Sequence, residues 1–216
     1  MSDSLIFSFW GIGGYLLGSI PFGLVLCYIA GYGDIRKIGS GNIGATNVLR
    51  TGNKWLALLT VLLDASKAGL IAFLAYKFIT PKPIIFMGLA TYTNILGSLV
   101  AGSLAIIGHN FPIWLKFKGG KGVASAFGFI LATQPYIALA ALGVWLVMAF
   151  VFKYSSLSAI TASVAMPFIS FFYCDPVYTI FYTALALLVL VRHHANIVRL
   201  AKGEESKIKL RKQDKK

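Results

Sequence analysis

The stretch VASAFGFILATQPYIALAALGVWLVMAFVF, residues 123–152, decides how often this chain crosses a bilayer. Val123–Thr133 is apolar but short of the roughly 20 residues a spanning helix needs. Tyr136–Phe152 is apolar and nearly long enough. Pro135 either kinks one long helix or ends the first of two. Charges elsewhere choose between these. Further apolar runs cover Leu5–Gly31, Trp55–Ile79, Ile84–Ile107, Leu157–Tyr173 and Val177–Val191. Two spans in 123–152 make seven in all. With the N-terminus outside, the inner face then receives loops 32–54, 108–122 and 153–156 and the tail from Arg192. These segments hold 17 of the 20 Lys and Arg: Arg36, Lys37, Arg50 and Lys54, then Lys116, Lys118 and Lys121, then Lys153, then nine in the tail. A single merged span would send loop 108–122 and the nine-charge tail to opposite sides, against the cytoplasmic bias of basic loops. The expected fold is an all-α polytopic membrane protein with about seven transmembrane helices, N-terminus outside and C-terminus cytoplasmic. Its fourth span is tilted, or short because it edges a wet cleft.

Composition agrees. Of 216 residues, 57% are hydrophobic and only 12% charged, where a soluble domain carries about a quarter charged. The net charge of +13 does not point to nucleic acid, because the basic residues punctuate apolar runs instead of forming a stripe. One membrane domain is expected over 1–203, with a basic, flexible cytoplasmic tail over 204–216. The first basic residue is Arg36, so no positive region precedes the first apolar run and no cleavable signal is expected. Cys27 and Cys174 suggest neither a disulfide framework nor a metal site, and no cofactor is expected.

Three inner-face segments carry candidate chemistry. Gly39-Ser40-Gly41-Asn42-Ile43-Gly44-Ala45-Thr46-Asn47, followed by Arg50, lets backbone N–H groups converge on an anion and adds neutral donors and a planar cationic fork. The plain alternative is a flexible loop. Lys116-Phe117-Lys118-Gly119-Gly120-Lys121-Gly122 opens directly into the run at 123, so helix N-terminal amides and lysines make an anion site. Membrane anchoring alone explains the lysines but not the glycines. Arg192-His193-His194-Ala195-Asn196, with Arg199, puts Arg192, Asn196 and Arg199 on one face if helical; a snorkelling helix end is the plain alternative. Asp64 and Lys67 lie within the second run, three apart, and suggest either function or a mutual ion pair holding the bundle. Ser155 and Ser156 sit at an inner turn as site or cap residues. Gly18-Ser19 reads as close helix packing, and Tyr92, Thr93 and Asn94 as interhelical hydrogen bonders.

Taken in order, Gly18-Ser19-Ile20-Pro21-Phe22-Gly23, the 39–47 block with Arg50, Gly108-His109 with Phe117-Lys118-Gly119-Gly120-Lys121-Gly122, and Arg192-His193 with Asn196-Ile197 and Arg199-Leu200 resemble the bacterial acyl-phosphate:glycerol-3-phosphate acyltransferases of the PlsY type. The resemblance runs over essentially the whole chain, and Asp64 with Lys67-x-Gly69 also fits it. It implies transfer of a fatty acyl group from acyl phosphate to the 1-hydroxyl of sn-glycerol 3-phosphate. The products would be lysophosphatidic acid and phosphate, the first committed step of bacterial phospholipid synthesis. It further implies seven helices in the bacterial inner membrane and an active site facing the cytoplasm. By position, it implies that Ser40, Gly41, Asn42, Asn47 and Arg50 form one phosphate loop. Lys118, Gly119, Gly120, Lys121 and Gly122 would form a second, with Ser156 a further match, and His193 and Asn196 would be catalytic. Acyl phosphate, glycerol 3-phosphate and membrane lipid are the expected partners. A soluble enzyme that makes the acyl phosphate is a further candidate. The residues five after each histidine are Trp114, Val198 and Arg199, so the His-x4-Asp acyltransferase motif is absent. A transporter of phosphorylated anions is the rival from another class, although transporters place their sites near the midplane. A lipid-binding scaffold is a third alternative.

A single cysteine at Gly44, Gly119 or Ser206 is expected to label only from the cytoplasmic side, and one at Lys82 or Asp175 only from outside. Labelling of positions 119 and 206 from opposite sides would eliminate the seven-span topology.

Overall fold

The computed structural model describes residues 2–208, and helices dominate it. The first apolar run is broken. Helix α1 (Asp3–Gly18) and helix α2 (Phe22–Ile29) are separated by Ser19, Ile20 and Pro21, and Pro21 lacks the N–H that would continue the ladder. A single turn, α3 (Ala45–Val48), interrupts the first inner loop before the long helix α4 (Lys54–Phe78). The third run does not begin as a helix. Its first residues form a hairpin of β1 (Pro83–Phe86) and β2 (Leu89–Tyr92), in register from Pro83–Tyr92 to Phe86–Leu89. The reason is local: Met87 and Gly88 both take positive φ, the turn that matches strand twist, and Ile84 and Ile85 suit strands. The fold is therefore mostly helical and not all-α. Helix α5 (Thr93–Asn110) starts only after the hairpin.

The decisive stretch gives two helices, α6 (Val123–Thr133) and α7 (Pro135–Phe152). Gln134, at φ −145° and ψ 80°, is not helical, and Pro135 opens α7 where its missing N–H costs nothing. Helices α8 (Ser155–Tyr173), α9 (Pro176–Arg192) and α10 (His194–Ala201) follow among the described residues. α9 and α10 bend by 60° at His193, so Arg192 does not share a continuous helical face with Asn196 and Arg199 as the spacing suggested. Among the described residues five segments are long and apolar enough to cross a membrane, six if the bent α9–α10 pair counts as one; α6 is a shorter apolar helix.

Lipid tails offer no hydrophobic drive between helices, so small residues and close backbone approach must hold them. α1 packs on α5 through Gly14 and Gly18, where a Cβ would strike the Ala101 and Ala105 carbonyls. α4 packs on α6 through Gly69 and Gly128, the latter against the Ala65 carbonyl. Around this seam lies an apolar core of Ala68, Ala72, Leu99, Ile106, Phe129 and Tyr182. Leu139, Leu146, Val147 and Phe150 of α7 are exposed, as lipid-facing residues must be. Residues 204–208 run back over the bundle, where Ile208 N–H donates to the Lys153 carbonyl at 2.7 Å. The rest of the expected flexible tail, 209–216, lies outside the described residues.

Gly128→Val should force α4 and α6 apart and destabilise the protein by at least 1–3 kcal/mol, the usual cost of overpacking. Gly143→Val, with open space around its position, is the control. An unchanged melting temperature in detergent for Gly128→Val would show that this seam is not a packed contact.

Candidate active site

A cleft of about 680 Å³ collects most of the singled-out residues. Its polar end is lined by Ser40, Asn42, Asn47, Arg50, Lys121, Gly122, Ser156, His193 and Asn196. Its other end is lined by Ala126, Phe127, Ile130, Ala138, Trp145 and Met166, an apolar arm between α6, α7 and α8.

Loop 35–47 is shaped from within by Asn47, which is 1% exposed. Its amide nitrogen donates to the Ile35, Ile38 and Asn42 carbonyls at 2.8–3.0 Å, and its Oδ1 accepts from the backbone N–H of Ser40 at 3.1 Å. Asn42 Oδ1 accepts from the Gly44 N–H. Both amides are thus engaged in holding the loop. Gly39 and Gly41 take positive φ, and a Cβ at Gly39 would collide with the Arg50 guanidinium, so glycine there lets the arginine lie across the loop. Gly41 does not line the cleft. The Arg50 fork reaches Ser206 Oγ at 3.4 Å.

The second loop differs from the expectation. Lys116 and Phe117 both adopt positive φ, and the reversal leaves Lys118 exposed and off the cleft wall. Gly119 and Gly120 also stand behind the wall. Their N–H groups donate to the Asn110 and His109 carbonyls at 3.2 and 3.0 Å. Their own carbonyls accept from Arg192, Nη2 and Nε respectively, both at 3.0 Å. Arg192 thereby locks the loop and is not free for an anion. Lys121 and Gly122 are the residues that reach the cleft. α6 starts there on an uncapped Gly122, so its first N–H groups are open to a ligand. α8 and α10 also begin at the cleft without side-chain caps.

Sequence reasoning assigned Glu205 no role. Its carboxylate accepts from Ser156 Oγ, Asn196 Nδ2 and Arg199 Nε, each at 2.7 Å. Asn196 in turn accepts from the Lys121 ammonium through Oδ1. Burial works to raise the Glu205 carboxyl, but the hydrogen bonds from Ser156, Asn196 and Arg199 outweigh it and hold it below the usual carboxylate value. Burial, then the nearby Arg199 charge, pushes Lys121 down. His193, just past the end of α9, is 3% exposed, and burial pushes it down to about 4. Its Nδ1 lies 2.8 Å from the Val189 carbonyl. A carbonyl can only accept, so Nδ1 carries the proton and Nε2 offers a lone pair. No cluster of three metal-ligating side chains exists among the described residues.

The family model described as Glycerol-3-phosphate acyltransferase matches residues 8–203. A curated relative of that name from Rhodospirillum rubrum is 48% identical over 98% of this chain and 95% of its own length. One from Caulobacter vibrioides is 50% identical over 91% of this chain and 85% of its own. The crystal structure of PlsY, an integral membrane glycerol 3-phosphate acyltransferase, in its glycerol 3-phosphate form matches with a TM-score of 0.83 at 35% identity. That match covers 94% of this chain and 96% of the other. Its lysophosphatidic acid form matches with a TM-score of 0.81 at the same identity, covering 93% and 94%.

A carboxyl held below its ordinary value stabilises the 204–208 strap above about pH 4.3, and that contribution is lost as the pH falls through the lowered pKa. Acidification below the carboxylate range should therefore speed amide exchange at 204–208 relative to its intrinsic rate. Glu205→Gln should exchange fast at every pH. Equal protection in both proteins would show that Glu205 does not hold the strap.

Proposed function

The chain belongs to the PlsY-type glycerol-3-phosphate acyltransferases, and on that footing we propose how its cleft performs the transfer. It is a multi-pass membrane enzyme that acylates glycerol 3-phosphate. The donor is acyl phosphate, and the products are 1-acyl-glycerol 3-phosphate (lysophosphatidic acid) and inorganic phosphate. The observation that carries this is the amphipathic cleft, cationic at one end and apolar at the other. Ser156 at the polar end and Met166 at the apolar end, ten residues apart on α8, both line it, so the cleft runs about 15 Å along α8 by helical rise. That is half of the roughly 30 Å hydrocarbon core, the depth of one leaflet, and suits one fatty chain. The seven-span topology, with 1–203 as one membrane domain and the cleft facing the cytoplasm across a bacterial inner membrane, belongs to the same proposal. The family match favours an enzyme over a transporter of phosphorylated anions.

Two substrate phosphates need donors and positive charge. Ser40, Arg50, Lys121 and the first amides of α6 supply them, with Ser156 and the start of α8 opposite. Asn42 and Asn47 hold the first loop in shape, while Gly119 and Gly120 hold the second. Catalysis is then positioning and charge stabilisation around an already activated acyl group. The glycerol hydroxyl attacks the acyl carbon directly. An acyl-enzyme would need a nucleophile with an adjacent base, and the hydroxyl that faces a carboxylate, Ser156, faces one whose lowered pKa makes it a weak base. His193, with a pKa near 4, is likewise a weak base at neutral pH. It holds the neighbouring 2-hydroxyl of glycerol 3-phosphate through Nε2, and the proton of the attacking hydroxyl goes to a phosphate oxygen, whose second pKa is about 6. Asn196 links Lys121 to Glu205 and fixes both.

Purified protein in detergent should form lysophosphatidic acid from acyl phosphate and glycerol 3-phosphate, with little product from acyl-CoA and no loss in EDTA. Lys121→Ala should lose about 2–4 kcal/mol of transition-state stabilisation, and Lys118→Ala should stay near wild type. Equal losses would mean that Lys121 has no special place in the site.

A further inference from the structure

Lys67, buried deep in α4, does more than pair with Asp64. Its ammonium donates to the Ile20 carbonyl at 3.0 Å and meets His109 Nδ1 at 2.8 Å. It lies 2.9 Å from Asp64 Oδ1 and 5.6 Å from the centre of the Phe22 ring. The Asp64 contact is an ion pair off the hydrogen-bond axis, since Oδ1 has no hydrogen-bond partner among the described residues. His109 Nδ1 also lies 3.4 Å from Asp64 Oδ1, but the Lys67 ammonium is nearer and has no lone pair, so Nδ1 is the acceptor and the imidazole proton is then on Nε2. Among the described residues no group bonds that nitrogen. It stands beside Gly120, where a Cβ would overlap the ring. His109 lines the cleft, as do Lys121 and Gly122 of the adjoining loop and Ala126 one turn further on. It therefore belongs to the wall where the cationic end gives way to the apolar arm.

That junction is where the carbonyl of an acyl phosphate must sit, with phosphate on one side and chain on the other. We propose that the Nε2–H of His109 is a catalytic hydrogen-bond donor to the acyl carbonyl oxygen, and that Lys67 and Asp64 are positioning residues that fix its tautomer. The proposal rests on the acyl-phosphate reaction above. As the glycerol hydroxyl oxygen bonds to the acyl carbon, the C=O π pair moves onto the carbonyl oxygen. The oxyanion accepts from Nε2–H, and the imidazole keeps its proton. Collapse re-forms the C=O and breaks the C–O bond to phosphate, which leaves with that electron pair and the hydroxyl proton. A neutral imidazole held in one tautomer is an established kind of electrophile, and a donor aimed at developing charge acts most strongly in a dry site. A purely structural histidine would need only its Nδ1 acceptor for Lys67.

Two substitutions separate these roles. His109→Asn keeps an acceptor at the Nδ1 position and loses the Nε2–H. His109→Gln keeps a donor near Nε2 and loses the Nδ1 acceptor. We expect His109→Asn to lose about 100-fold in kcat with little change in KM for glycerol 3-phosphate, and His109→Gln to retain at least tenfold more activity than His109→Asn. Equal activities, or more activity in His109→Asn, would overturn the proposal. Melting temperatures of both variants accompany the rates. If neither folds, nitrogen NMR of labelled wild-type protein in lipid decides: an unprotonated Nδ1 on His109 supports the proposal, and a protonated one overturns it. Wild-type turnover of acyl phosphate is measured alongside, so failure of the reaction itself is seen separately.

Discussion

Two backbone hydrogen bonds, Gly119 to the Asn110 carbonyl and Gly120 to the His109 carbonyl, hold the polar end of the cleft together. They fold the chain back on the end of α5, so that Lys121 and the start of α6 face inward. Arg192 grips the same two glycines from the other side through their carbonyls, with its guanidinium 5.0 Å from the Phe111 ring centre. Three helices are thereby tied to one loop. A side chain at either glycine would strike α5. The Gly119 and Gly120 amides are thus architectural, and what the loop presents to the cleft is Lys121 and the uncapped first turn of α6.

The bilayer imposes the rest. Backbone that is not helical must find partners inside the protein at membrane depth. The Ser19–Pro21 break meets that demand with Lys67, which bonds the Ile20 carbonyl. The same ammonium meets Asp64 and His109, so one buried charge serves both the break and the cleft wall. A buried ion pair is weak evidence of stability by itself; here its geometry says more, because it dictates which imidazole nitrogen holds a proton.

Much of this was legible in the sequence, and the failures have physical causes. Basic-loop asymmetry separated α6 from α7, since Pro135 alone fits either a kink or a stop. The hairpin at 83–92 was not legible, because an apolar stretch reads alike as span or strand until the Met87-Gly88 turn is given weight. The bend at His193 was hidden for a similar reason: nothing in Arg192-His193-His194 breaks a helix, and the pull on Arg192 comes from a loop about 70 residues earlier. Lys121 could not be told from Lys118 by spacing, because the positive-φ pair at 116 and 117 sets which lysine points inward. Glu205 reaches Ser156 across 49 residues, a contact no local pattern announces.

The cleft draws on residues from Gly39 to Ser206, and this span sets an order in time. The first loop leaves the ribosome early, while Glu205, which steadies Ser156 and Asn196, is made almost last. At roughly 5–20 residues per second, the early loop waits about ten to thirty seconds for its partners. During that interval the partly inserted chain holds an arginine and open amides but no completed pocket. A chain that stops short of Glu205 lacks the carboxylate that ties Ser156 to Asn196 and Arg199.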